Sequence, residues 1–130
     1  MNTHQSASVS SNWGECHFTF KLLLQGLSGT GKSQLASRYL HGDDFSRDTP
    51  YRQTRKADFG YRFVRYLNKS LQIQVWDSPG TECYVQRNPT VKGADAFLIA
   101  FDITNRFSFD KVRAIYHENK MTSGVSRSRE

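Results

Sequence analysis

Residues 26–33 read GLSGTGKS and match G-x-x-x-x-G-K-[ST] at every fixed position. Such a loop cradles phosphate. Gly26, Gly29 and Gly31 let the backbone wrap closely around phosphate oxygens, and Leu27, Ser28 and Thr30 complete the run. Successive N–H groups and the N-terminus of the following helix then point at the anion. Lys32 is expected to reach the outer phosphates, and the Ser33 hydroxyl to ligate Mg²⁺. A second piece, VWDSPG at 75–80, ends on a strand and turns. Asp77 would hold Mg²⁺ through water, and the Gly80 N–H could meet a terminal phosphate. Asp-Ser-Pro-Gly is also a good turn sequence in its own right, so its place at a strand end is what gives it weight.

The elements that must position these residues are legible from periodicity. HFTFKLLLQ (17–25) reads as a buried strand running into the loop. SQLASRYLHG (33–42) reads as a helix with Leu35, Ala36, Tyr39 and Leu40 on one stripe, closed by Gly42. Residues 43–57 are polar, contain Pro50 and read as a loop. DFGYRFVRYL (58–67) and LQIQVWD (71–77) alternate as strands of a hairpin, with Lys69 and Ser70 after Asn68 as the tight turn. SPGTECYVQRNPTVKG (78–93) is a second loop. ADAFLIAFDI (94–103) is a continuous apolar run, as in a strand covered on both faces. SFDKVRAIYHEN (108–119) places Phe109, Val112, Ile115 and Tyr116 on one helical face, with Ser108 as N-cap and Asp110 in the first turn. The order strand, loop, helix, hairpin, strand, helix predicts an open, largely parallel α/β sheet with one antiparallel edge strand.

A length of 130 residues, 37% hydrophobic and 23% charged, fits one soluble globular domain. Cys16 and Cys83 lack metal-like spacing. The N-terminus MNTHQSASVSSNWGEC lacks an apolar signal core, so a reducing, cytoplasmic compartment is expected. No apolar run approaches the roughly 18–20 residues of a membrane span, and SRSRE offers no cysteine to prenylate. The net charge of +6 (18 basic, 12 acidic) reads as a solvated charged face. Without a zinc-finger or RNA-reading signature, nucleic acid is set aside as a partner.

Together these segments resemble the Ras superfamily of small GTPases, and its Rab branch most closely. WDSPGTE (76–82) is similar to the Rab WDTAGQE, FDITNRFSFDKV (101–112) to YDITNxxSFxxV, and KGADAFLIAFDIT (92–104) to RGADGxxLVYDxT. The similarity spans about residues 18–117. It implies a P-loop NTPase (small G-protein) fold of the α/β class, a three-layer sandwich with its C-terminal strands and helices missing. Residues 1–16 would be a disordered lead, 17–119 a partial Rab-like domain and 120–130 an unstructured tail. It also implies GTP/GDP and Mg²⁺ as ligands. An exchange factor, an activating protein or an effector would be the partner, and any membrane association would be peripheral, through partners. TPYRQTRKADF (49–59) sits where the family's effector loop ends in TIGVDF, so Thr54 would close over Mg²⁺ and the terminal phosphate. By the same resemblance Phe59, Trp76 and Tyr84 would form an effector-facing aromatic cluster, ordinary core packing being the alternative.

Three departures qualify what the resemblance implies. Thr81 stands in place of the Gln that positions the attacking water, leaving Lys32 and Thr81 as the catalytic candidates and predicting slow hydrolysis. Arg55 and Lys56 replace the Ile-Gly of the effector loop, and the second switch is one residue short between Gly80 and Gly93. The guanine-reading N-K-x-D has no counterpart beyond NKMT at 119–122, read as coincidence because a helix runs straight into it. The fourth strand would then form an open edge that invites pairing with a partner or a second copy. A non-catalytic interaction module, a P-loop ATPase or kinase and an incomplete gene product are the competing readings.

Overall fold

The structure is a computed structural model, and it describes residues 15–42, 58–80 and 91–122. Its elements are β1 (Phe18–Gln25), α1 (Lys32–His41), β2 (Asp58–Tyr66), β3 (Lys69–Asp77), β4 (Ala96–Ile99) and α2 (Arg106–Thr122). The four strands form one sheet in the order β2-β3-β1-β4. β1 runs parallel to β3 and to β4, while β2 pairs antiparallel with β3. The expected order and mixed sheet are both present.

Alternation along β1 divides the molecule into layers. Leu24 packs with Ala36 of α1 and Val75 of β3, and Leu22, Leu40 and Ile73 close around them. Gly60 lets Leu40 lie directly on β2, where a Cβ would strike the Leu40 side chain. The next residue, Gln25, points to the opposite face and meets Asn119 of α2. The sheet is thus sandwiched between two helices, as a three-layer fold requires.

Several boundaries differ from expectation. The hairpin turns at Leu67 and Asn68, both with positive φ (46° and 60°), and Lys69 and Ser70 already belong to β3. Two left-handed residues match the twist of the flanking strands, which the polar Lys-Ser pair does not reveal. β1 is buried only in its second half, with Phe18 and Phe20 exposed. β4 spans four residues rather than ten and lies at the sheet edge, so Leu98 remains 51% exposed instead of covered on both faces. In α1 the buried line is Lys32, Ala36 and the half-buried Leu40, while Leu35 and Tyr39 stay exposed.

α2 begins two residues before Ser108, and Asn105 caps it by accepting the Ser108 N–H through its side-chain oxygen (3.4 Å). Ser108 is not the cap. Its hydroxyl donates to the Asn105 carbonyl (2.7 Å) and accepts the Asp102 N–H (2.9 Å), at 1% exposure. Asp110 therefore falls beyond the first turn. The inward line is Ser108, Val112, Ile115 and Asn119, whereas Phe109 and Tyr116 are exposed. No described helix is long and apolar enough to cross a membrane.

Candidate functional site: a phosphate cradle at the start of α1

β1 delivers the chain to Gly26, whose φ of 142° only glycine adopts readily. A Cβ there would strike the Ala100 carbonyl oxygen, so the loop leaves the sheet pressed against the end of β4. Ala100 N–H in turn bonds to the Gln25 carbonyl at 2.7 Å. Thr30 Oγ1 donates to the Leu27 carbonyl at 2.9 Å and closes the loop on itself. Gly31, at φ 92°, is the N-cap of α1, and among the described residues no side chain caps this helix end.

Lys32 is the first helical residue and is 5% exposed. Its Nζ donates to the carbonyls of Gly26 (3.0 Å) and Leu27 (2.7 Å), which fixes the ammonium under the loop. Those two carbonyls position the buried ammonium at the root of the loop.

Ser33 and Asp77 meet across the junction between α1 and β3, with the Ser33 hydroxyl donating to Asp77 Oδ2. Asp77 Oδ1 is buried and, among the described residues, has no hydrogen-bond partner. Burial pushes the Asp77 carboxyl above its ordinary range, opposed by the Ser33 hydroxyl and the Lys32 charge. A hydroxyl and a carboxylate oxygen lacking a partner form a hard oxygen donor set, and that set fits Mg²⁺. Among the described residues no group of three or more His, Cys, Asp or Glu could hold a metal ion. A cation here would complete its shell with water and phosphate oxygens.

Ser78, which sequence reading passed over as part of the turn, fixes the other wall. It is fully buried, and both its hydroxyl and its N–H donate to the Leu24 carbonyl. Asp77 and the buried Gly80 are thereby tied to the strand that carries the phosphate loop. The available signal was a serine directly after a strand-ending carboxylate.

The structure therefore brings Gly26–Ser33, Asp77 and Gly80 to one end of the sheet. Thr54, Thr81 and Tyr84 lie outside the described residues, as does Cys83. Phe59 and Trp76 are paired across β2 and β3 with ring centroids 4.8 Å apart. They stand on the face opposite α1, outside the buried core, and Lys21 Nζ lies 4.7 Å from the Trp76 ring centre. Phe59 is 45% exposed, so core packing does not account for it. Asn119, the first residue of NKMT, is buried in α2 and forms no base-reading loop.

A family model described as the Ras family matches residues 21–127. The chain belongs to the Ras family. Several of its curated relatives carry Rab names. It is 37% identical over 99 residues to the Ras-related protein RABA6b of Arabidopsis thaliana, covering 75% of this chain and 42% of that protein. It is 33% identical over 99 residues to the Ras-related protein Rab-1 of Theileria annulata, covering 75% and 44%. It is 36% identical over 105 residues to the GTP-binding protein YPTM2 of Zea mays, covering 80% and 50%. The chain thus spans about half the length, or somewhat less, of these relatives. It is a Rab-like small GTPase by family, and its described residues hold the glycine-rich loop together with the strands and helices around it.

Proposed function

We propose that this chain binds GTP and GDP with Mg²⁺ at residues 26–33 and acts as a Rab-like switch that hydrolyses GTP slowly. The observation that carries the reading is the junction of three features at one place. These are the glycine loop with Lys32 buried beneath it, the Ser33–Asp77 contact, and the Asp77 oxygen that lacks a partner. The loop backbone and Lys32 bind and orient the phosphates, while Ser33 and Asp77 hold the cation. Mg²⁺, when bound, neutralises charge on the phosphate oxygens. Guanine as the base follows from the relatives, one of which is named a GTP-binding protein. Slow turnover follows from Thr81, too short to place a water as Gln does. The exposed Phe59 and the half-buried Trp76 offer an aromatic pair for an exchange factor, an activating protein or an effector. The protein would work in the cytoplasm and reach membranes through those partners.

A second reading is a non-catalytic module that keeps this surface and competes for Rab partners. The helical, buried position of Asn119 favours it, since residues 119–122 then supply no guanine contact. Titration with fluorescent GDP, GTP and ATP in Mg²⁺, followed by single-turnover hydrolysis, separates the two. Guanine-selective binding with slow turnover supports the switch, and binding without turnover supports the module. Equal weak binding of all three would contradict the switch.

A further inference from the structure

The residue that launches the phosphate loop carries an unusual burden for a strand end. Gln25 is 3% exposed and Asn119 is 5% exposed, and the two amides bond to each other reciprocally. Gln25 Nε2 donates to Asn119 Oδ1 at 3.0 Å, and Asn119 Nδ2 donates back to Gln25 Oε1. Ile115 is the only apolar residue of α2 that is fully buried, so this amide pair is a principal tie between α2 and the sheet. Two buried amides satisfy each other only in one register, because a shift of either leaves a donor and an acceptor unpaired.

The tie acts at the loop's root. The Gln25 carbonyl takes the Ala100 N–H, and Gly26 is wedged against the Ala100 carbonyl. The very next carbonyls, Gly26 and Leu27, hold the Lys32 ammonium. Displacing Gln25 therefore moves the acceptors that fix Lys32. We propose that Gln25 and Asn119 are positioning residues that couple the seating of α2 to the shape of the phosphate loop. The consequence for affinity rests on the reading that residues 26–33 bind nucleotide phosphates.

The test uses the full chain with Asn119→Leu, Gln25→Asn, Asn119→Gln and the swap Gln25→Asn/Asn119→Gln. The swap keeps both amides and the total number of methylenes, whereas each single change leaves the pair too short, too long or half empty. Amide exchange is read by NMR in the ligand-free protein at residues 26–33, and Mg²⁺-GDP affinity is measured beside it. Exchange at the loop should quicken, and affinity fall, roughly tenfold in the single variants, and both should recover in the swap. Faster exchange confined to α2, with loop amides unmoved, would mean that the pair merely holds the helix and would overturn the coupling. A swap that stays as loose as the single variants would overturn it too. If the unaltered chain binds no nucleotide, the function proposed above falls, and the loop-exchange result still decides this one.

Discussion

α1 starts from Gly31, in a left-handed conformation with no side-chain cap, whereas α2 starts from Asn105, whose side chain accepts the Ser108 N–H. Their docking differs as well. α1 lies on the sheet through Ala36 against Leu24 and Val75, while the buried residues of α2 are Ser108, Ile115 and Asn119, two of them polar. A helix whose first turn closes on its own chain has its positive end occupied from within. A helix that begins on glycine, beside a buried lysine, leaves its positive end without a side-chain cap among the described residues. Under the function proposed above, one helix start is built for stability and the other for a ligand.

Substitutions at the two starts should separate these roles. Lys32→Ala should weaken Mg²⁺-nucleotide binding roughly a hundredfold, by loss of a charge-assisted contact of about 3 kcal/mol. Calorimetric titration measures this, and unchanged affinity would break the contrast at once. Asp77→Asn should remove most of the Mg²⁺ dependence of binding while raising the melting temperature of the ligand-free chain. The sign follows from burial. The folded carboxyl is held above its ordinary pKa, so folding loses stability as pH rises through that raised value. The gain from Asp77→Asn should accordingly appear at neutral pH and vanish in acid, as melting curves at several pH values would show. Asn105→Ala should cost about 1 kcal/mol of stability and leave nucleotide affinity alone. The smallest effect is expected at Leu67, held at φ 46° in the hairpin turn. Leu67→Asn should add roughly 0.5 kcal/mol in denaturant unfolding, with no effect on either helix.

The start of α1 was the more legible in the sequence. Glycines, lysine and serine at fixed spacing between an apolar strand and a helical stripe leave few alternatives, and Asp77 announces itself at a strand end. The α2 start was misjudged because four residues in FDITNRFS (Asp102, Thr104, Asn105 and Ser108) are of types that can cap a helix, and the sequence does not say which side chain turns inward. Asn105 took the cap, and Ser108 became a buried lock between Asp102 and Asn105. The inward face of α2 was rotated for the same reason. Reading apolar residues alone chose Phe109 and Tyr116, but Phe109 meets Phe101 at the surface with ring centroids 5.0 Å apart. Asn119 is inside because Gln25 satisfies it, a pairing across 94 residues that periodicity cannot see. Ser78 was missed likewise, since its partner is a backbone carbonyl on a distant strand.

The most direct test of the contrast is a pair of ¹H–¹⁵N spectra of the chain, without and with saturating Mg²⁺-GDP. The account predicts the largest shifts at residues 26–35 and 77–80, with residues 105–108 at the start of α2 unmoved. Shifts absent from residues 26–35, or equally large at both helix starts, would contradict it.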